Sequence, residues 1–179
     1  GLPVTRGQLE HVIRAAATIA ADPDIVVIGS QAILGQFPDA PSELLVSNEA
    51  DVYPRGHPER SDLIDGSIGE LSPFHETYGY YAQGIGKDTA VVPEGWEDRL
   101  VPVRTSAGTG WCLEVHDLVI SKYVAGREKD RAFVRAALKH GLADGRTLLA
   151  RLASTPLPTE QRERLCRHIE EDCRQLGLG

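Results

Sequence analysis

Apolar and polar positions follow helical and strand periods in turn along the chain. A capping-box pattern at Thr5 and Gln8 is followed by apolar residues with helical spacing up to about Ala21, which predicts a first helix. Residues 25–28, Ile-Val-Val-Ile, form a short apolar run that is typical of a buried strand. The chain therefore begins with a helix that is followed directly by a core strand.

The same patterns predict the elements of the remaining chain. Further helices are expected over about 30–35, 58–71, 116–124, 128–140, 144–153 and 159–176. Further strands are expected over about 49–53, 80–85, 89–92, 100–105 and 111–113. Pro102 favours a sheet edge for the strand that contains it, whereas residues 72–79 show no regular pattern. This order predicts an α/β (α+β) fold with a mixed sheet core over residues 1–110 and a helical part over 111–179, packed on the core.

Composition narrows the class of protein. The chain has 179 residues, of which 41% are hydrophobic. This length and composition are enough for one domain with a hydrophobic core and a small additional helical part. No apolar stretch reaches the roughly 18 residues of a membrane span, and no signal peptide is visible at the start. The three cysteines show no metal-binding spacing and are typical of reduced thiols. We therefore expect a cytoplasmic protein without a membrane partner.

Two acidic residues carry the strongest chemical signal. Glu49 and Asp51 lie two positions apart in the second predicted strand, so their side chains are on the same face. Neighbouring carboxylates repel each other unless a cation lies between them, and Mg²⁺ or Mn²⁺ with nucleotide phosphates is the usual solution. Two acidic residues on an exposed strand face are the alternative. Upstream, Gly29 and Ser30 end the first strand, where a phosphate-binding turn and an ordinary turn that Ser30 caps are both consistent with the sequence.

The strand, the Gly-Ser turn, the helix and the second strand with its Glu-x-Asp pattern together resemble the nucleotidyltransferase superfamily that includes DNA polymerase β. Residues 113–130, with their Asp-Leu…Lys-x-x-Ala-x-Arg-x-Lys-Asp pattern, resemble AbiEii-like nucleotidyltransferases. That group includes the MenT-like toxins of type IV toxin–antitoxin systems. The two blocks cover roughly residues 25–135, and the resemblance implies a nucleotidyltransferase-type mixed sheet.

The resemblance implies roles for particular residues. Glu49 and Asp51 would hold the metal ion, although the family usually has Asp at the first position. Gly29, Ser30 and Lys122 would hold the triphosphate, and the alternative for Lys122 is an exposed lysine on a surface helix. Lys129 or Asp130 would act in the site, or else form a structural ion-pair network in which Arg127 and Asp130 pair across one turn. Ser47 is either a direct nucleotide contact or a hydrogen-bonding residue at the start of the strand.

A third carboxylate often completes such sites, and here the sequence leaves it open. Four residues are candidates without a distinguishing context: Asp88, Glu94, Glu97 and Asp98. The family often has a further Asp three residues after the Lys-Asp pair, but this chain has Phe133 there.

The resemblance implies an activity, namely transfer of NMP from an NTP to an acceptor with release of pyrophosphate. It also implies that the acceptor is a tRNA 3′ end and that a cognate antitoxin protein is a partner. Two alternatives remain open: transfer to a protein, and a catalytically inactive nucleotide-binding or interaction module.

The net charge of −7 argues mildly against a broad nucleic-acid surface. One basic stripe is nevertheless expected, because Arg127, Arg131, Arg135 and Lys139 recur every four residues on one predicted helix. RNA binding and a solvated helix face are equally compatible with this stripe. In the last predicted helix, arginines alternate with acidic residues, which we interpret as a solvated, salt-bridged helix rather than a nucleic-acid patch.

Overall fold

The structure is a computed structural model that describes residues 2–178, across which the chain forms five strands and eight α-helices. The strands are β1 (Asp24–Val27), β2 (Glu49–Pro54), β3 (Tyr81–Gly84), β4 (Val101–Arg104) and β5 (Thr109–Cys112). The helices are α1 (Arg6–Ala20), α2 (Ile33–Gln36), α3 (Ser61–Ile68), α4 (Pro73–Tyr78), α5 (Val115–Ala125), α6 (Glu128–Lys139), α7 (Gly145–Ala153) and α8 (Thr159–Gln175). Short 3₁₀ turns occupy Ser30–Ala32, Ser42–Leu44, Pro58–Arg60 and Trp96–Arg99.

All five strands belong to one mixed sheet with the order β3-β2-β1-β5-β4. Strand β1 is antiparallel to β2 and parallel to β5, so it occupies the centre. Strand β2 runs parallel to β3, and β4 runs antiparallel to β5 at the opposite edge. The sheet confirms the expected mixed α/β class and the edge position of the Pro102 strand.

The chain divides into two compact units. The first comprises the described residues up to Thr89 together with Arg99–Glu114, and it contains the whole sheet. The second comprises Ala90–Asp98 and the described residues from Val115 onward, and it contains helices α5 to α8. We expected the helical part to begin at residue 111. That position lies within strand β5, and the second unit resumes at Val115.

Helix α1 covers the sheet of the first unit. The capping box expected at Thr5 and Gln8 is present, and the apolar face of the helix is buried. The helix approaches β5 closely because Gly110 has no side chain: a Cβ there would overlap Ile13 of α1. The buried apolar side chains of α1 and β1 thus form the core of the first unit.

Two local predictions were wrong. Residues 89–92 form no strand, although Val91 and Val92 gave a strand-like pattern. Residues 73–78, for which no regular pattern was visible, form helix α4. Its start is specified by Ser72, whose side chain accepts a hydrogen bond from the backbone N–H of His75, and by Pro73 in the first turn. A helix of six residues is too short to show periodicity, so only its capping residues indicate it.

Across residues 2–178, no helix combines the length and the apolar character that crossing a bilayer requires. The three cysteines carry no disulfide, and Cys112 is fully buried in β5.

Asp22 links the end of α1 to the turn that follows β2. One carboxylate oxygen accepts the backbone N–H of Asp24 at 2.9 Å, and the other accepts that of Gly56, also at 2.9 Å. The His57 ring lies 3.2 Å from the second oxygen. Burial alone would raise the pKa of Asp22, but these hydrogen bonds outweigh it and hold the pKa below its usual value. Asp22 is therefore a charged, buried anchor that joins the start of β1 to the chain that follows β2.

Replacing Asp22 by Asn should destabilise the protein by about 1–3 kcal/mol at neutral pH, because an amide group would face a backbone donor. The depressed pKa of Asp22 contributes stability that is complete above its unfolded value of about 3.9 and is lost as the pH falls through the folded value. Urea unfolding at several pH values should therefore show a shallower acid limb in Asp22→Asn. The exposed Asp39→Asn is the matched control, and equal losses in both variants would contradict the prediction.

Candidate functional site

The two carboxylates predicted from the sequence lie on one face of β2. The burial pattern of the strand alternates, with Glu49 and Asp51 partly exposed and Ala50 and Val52 buried. Two acidic side chains therefore stand side by side on a surface that the first unit leaves accessible. Their mutual repulsion makes this face attractive to a cation.

The Gly29 turn lies directly against Asp51. The backbone N–H of Ile28 donates a hydrogen bond to the carbonyl of Asp51 at 3.0 Å, which continues the β1–β2 pairing to the end of β1. A Cβ at Gly29 would overlap the Asp51 carboxylate oxygen Oδ2 and lie 3.0 Å from Cγ. The backbone of Gly29 is extended, so steric space rather than an unusual φ requires glycine here. The fold thus brings together the two motifs that the sequence separates by about twenty residues.

The two serines have different local roles. Gly29, not Ser30, occupies the capping position of the 3₁₀ turn Ser30–Ala32, so the expected cap by the Ser30 side chain is wrong. Ser30 instead begins that turn, one residue beyond Gly29. The Ser47 hydroxyl accepts the backbone N–H of Glu49 at 3.2 Å, and the Ser47 carbonyl accepts the Gln31 side chain. Ser47 therefore fixes the start of β2, one of the two roles expected for it.

Tyr81 is a site residue that sequence reasoning missed. It is paired with Glu49 across the parallel β2–β3 ladder, and its hydroxyl donates a hydrogen bond to Glu49 Oε2 at 3.0 Å. Burial raises the pKa of Tyr81, and the hydrogen bond to Glu49 and its charge raise it further, so the hydroxyl stays a donor at physiological pH. The His75 ring lies against Tyr81 with 4.5 Å between ring centroids. Only the strand pairing reveals these neighbours, because Tyr81 is 32 residues away from Glu49 in the chain.

The carboxylate pair fits a magnesium or manganese ion. Mg²⁺ is usually held by one or two carboxylates together with substrate phosphates and water rather than by an all-protein cage. Within residues 2–178, no group of three or more His, Cys, Asp or Glu side chains could hold a metal ion. Glu49 and Asp51 would supply two carboxylates of such a site, and nucleotide phosphates and water would supply the other ligands. The four candidate third carboxylates form no such group with the pair.

The second unit holds the other residues implied by the resemblance. The Lys122 ammonium lies 3.5 Å from Asp130 Oδ1 and 5.2 Å from the centroid of the Phe133 ring, and the residue is buried. The expectation of an exposed lysine is therefore wrong. Arg127 binds the other oxygen of Asp130 at 2.8 Å, as the three-residue spacing predicted. Burial opposes the charge of Asp130, but Arg127 and Lys122 outweigh it and keep its pKa below the usual value.

The expected basic stripe is not a uniform surface. Arg127 pairs with Asp130, and Arg135 lies 3.0 Å from the buried Asp172 of α8. These two charges are compensated within the second unit, whereas Arg131 is exposed. Lys129 is also exposed, on the first turn of α6. The periodicity of four residues did not indicate which arginines face another helix.

The mixed sheet, the Gly-Ser turn and the paired carboxylates agree with the nucleotidyltransferase class that the sequence resembles. Residues 7–171 match the family described as "Nucleotidyltransferase of unknown function (DUF6036)", so the chain belongs to this nucleotidyltransferase family. No curated protein and no solved structure matches the chain.

Replacing Gly29 by Ala should displace the Asp51 carboxylate, because the new methyl group would occupy the position of Oδ2. We expect Mn²⁺ binding, measured by electron paramagnetic resonance, to weaken about tenfold or more. Gly66→Ala is the matched control, because a Cβ at Gly66 in α3 meets no atom within 4 Å. Equal Mn²⁺ affinity in both variants would show that the close approach of Gly29 does not position the carboxylate.

Replacing Tyr81 by Phe should weaken Mn²⁺ binding about tenfold, because a hydrogen bond to a charged group is worth about 1.5–3 kcal/mol. The same change in a Glu49→Asp background should have little effect, since the shorter side chain no longer reaches the hydroxyl. This double-mutant cycle separates positioning of Glu49 from general packing. Tyr78→Phe, at an exposed position, is the control. Equal losses in both backgrounds would contradict a positioning role for Tyr81.

Proposed function

We propose that the chain is a metal-dependent nucleotidyltransferase that transfers NMP from an NTP to an acceptor hydroxyl and releases pyrophosphate. The observation that carries this proposal is the pair of Glu49 and Asp51 on one face of β2 with the Gly29 turn against Asp51. Membership in a nucleotidyltransferase family supports the same reaction class.

In the proposed reaction, the acceptor oxygen attacks the α-phosphorus of the NTP, and the bond between this phosphorus and the oxygen that leads to the β-phosphate breaks. Glu49 and Asp51 would hold Mg²⁺ or Mn²⁺, which when bound supplies positive charge for the phosphates and orients the reacting groups. Tyr81 would hold Glu49 in place through its hydrogen bond. Gly29 would let the phosphates approach the backbone, and the Ser30 hydroxyl would donate a hydrogen bond to a phosphate oxygen.

Lys122 is proposed as a triphosphate contact, with Lys129 or Asp130 as a supporting group. The ion pair with Asp130 holds the Lys122 ammonium in place, and an ammonium group is a common phosphate ligand in proteins. Removing Asp130 would leave the buried lysine with less compensation, so Asp130 supports Lys122 in either role.

For the acceptor, we propose the substrate class of the AbiEii-like and MenT-like enzymes, a tRNA 3′ end. The protein would then be a cytoplasmic toxin of a toxin–antitoxin system with a cognate antitoxin as its partner. The support for this finer proposal is the sequence resemblance over residues 113–130. Transfer to a protein hydroxyl uses the same site and differs only in the acceptor.

A catalytically inactive nucleotide-binding module is the second candidate function. Two observations favour it: Glu49 replaces the usual Asp, and across the described chain no third acidic side chain joins the pair in a group that could hold a metal. Such a module would still bind an NTP through the same carboxylates and turn.

Asp51→Asn tests the reaction directly, because it keeps the side-chain shape but removes one metal-binding charge. With α-³²P-labelled NTPs and Mg²⁺, the wild-type protein should label the acceptor, and the variant should lose about 100-fold or more of this activity. Asp62→Asn, at an exposed position of α3, is the control for charge.

The destination of the label separates the candidate functions. Label in tRNA supports the toxin proposal, and label in protein supports the alternative acceptor. NTP binding without label from the wild-type protein supports the inactive module. A fully active Asp51→Asn variant would overturn the proposed role of the carboxylate pair.

A further inference from the structure

A cleft in the second unit is lined by arginines from two helices. It has a volume of about 780 Å³ and lies between the end of α5, the start of α6 and one face of α8. Arg131 contributes from α6, and Arg164, Arg167 and Arg174 contribute from α8. The cleft does not include the carboxylate pair or the turn of the first unit, so it is a separate feature.

Three of these arginines have no charge partner. Arg131, Arg164 and Arg167 form no ion pair with any residue between positions 2 and 178. Arg174 differs, because it pairs with Glu171 of the same helix. The lining also contains Glu170 and Glu171, and Glu171 is the partner of Arg174. The four arginines outnumber these two acids, so the cleft has a net positive charge in a chain whose total charge is −7.

The buried acid below the cleft is already neutralised. Asp172 accepts a hydrogen bond from the Tyr123 hydroxyl at 2.7 Å and forms an ion pair with Arg135 at 3.0 Å. Asp172 therefore contributes little negative potential to the cleft. The exposed ion pair of Arg174 with Glu171 agrees with the expected salt-bridged surface of α8, and Asp172 on its buried side pairs with α6.

The length of the arginine row indicates a polyanion. Residues 164 and 174 are ten positions apart on α8, which corresponds to about 15 Å along the helix axis. A single phosphate group is only a few ångströms across and cannot contact the whole row. Arginine binds phosphate oxygens in a bidentate manner, which suits repeated phosphates along a chain.

The lining favours nucleic acid over an acidic protein. Protein interfaces have a core of apolar anchor residues, whereas nucleic-acid interfaces are more polar and far more positive. Here charged and polar side chains are the majority of the lining, although Tyr123, Val124 and Leu165 add apolar surface. We propose that this cleft binds the phosphodiester backbone of single-stranded nucleic acid. This binding goes beyond the proposed transfer reaction and does not depend on it.

The test uses the full-length protein, without metal or NTP, and three fluorescent probes. These are a short single-stranded RNA of mixed sequence, a DNA of the same sequence and a polyglutamate peptide of equal charge. Binding is followed by fluorescence anisotropy between about 50 and 200 mM salt. Arg131→Glu combined with Arg164→Glu alters both walls of the cleft at exposed positions. Arg104→Glu combined with Arg146→Glu makes the same charge change at exposed positions that do not line the cleft.

The cleft variant should bind RNA or DNA at least about tenfold more weakly than wild type, and its log–log salt slope should fall by about 1.4 for two lost phosphate contacts. The control variant should retain wild-type binding, and urea unfolding should show that both are folded. Tighter binding of RNA than of DNA would identify contacts to the 2′-hydroxyl, and equal binding would identify the backbone alone.

Three results would overturn the proposal: absence of nucleic-acid binding by wild type, equal weakening in both variants, or equally tight binding of polyglutamate. Because no nucleotide is added, a failure of the transfer reaction leaves this test unchanged.

Discussion

The pairing of β1 with β2 is the constraint on which the candidate site depends. The hydrogen bond from the Ile28 amide to the Asp51 carbonyl carries this pairing to the end of β1, and it brings Gly29 to the Asp51 side chain. A Cβ at Gly29 would overlap the Asp51 carboxylate, so the turn and the carboxylate can approach this closely only because residue 29 is a glycine. At the other end of the same pair, the buried Asp22 carboxylate holds the chain that follows β2. Backbone pairing and a buried anchor thus fix the position of the acidic residues before any ligand binds.

The first unit places two like charges together on one face of β2. Tyr81 donates a hydrogen bond to Glu49 but carries no positive charge, so this contact leaves the negative charge of Glu49 in place. A stable surface would not gain from such an arrangement, whereas a cation-binding site requires it. This is why the electrostatics of β2 support a ligand-binding role more strongly than a structural one. The longer reach of Glu49 is matched to the Tyr81 hydroxyl by the register of β3.

The second unit, by contrast, contains buried charged side chains that ion pairs neutralise. Lys122 with Asp130 and Arg135 with Asp172 are ion pairs in which at least one partner is buried, and each links different helices. Replacing Asp130 would take a charge partner from both Lys122 and Arg127, and a poorly compensated buried charge is costly. In contrast to these paired charges, Arg131, Arg164 and Arg167 of the cleft form no ion pair within residues 2–178. That contrast distinguishes the arginine-lined cleft from an ordinary solvated helix.

The sequence by itself determined the elements with strong local signals. The capping box and apolar spacing specify α1, the apolar run specifies β1, and the two-residue spacing puts Glu49 and Asp51 on one face, since these features depend only on neighbouring residues. The sequence could not determine which strands pair, so it did not predict the hydrogen bond between Tyr81 and Glu49. It also could not show that Arg135 is neutralised by Asp172 while Arg131 is not, because i,i+4 spacing describes one helix and not the helix that packs against it. Tertiary structure decided those points, because pairing register and helix packing join residues that lie tens of positions apart.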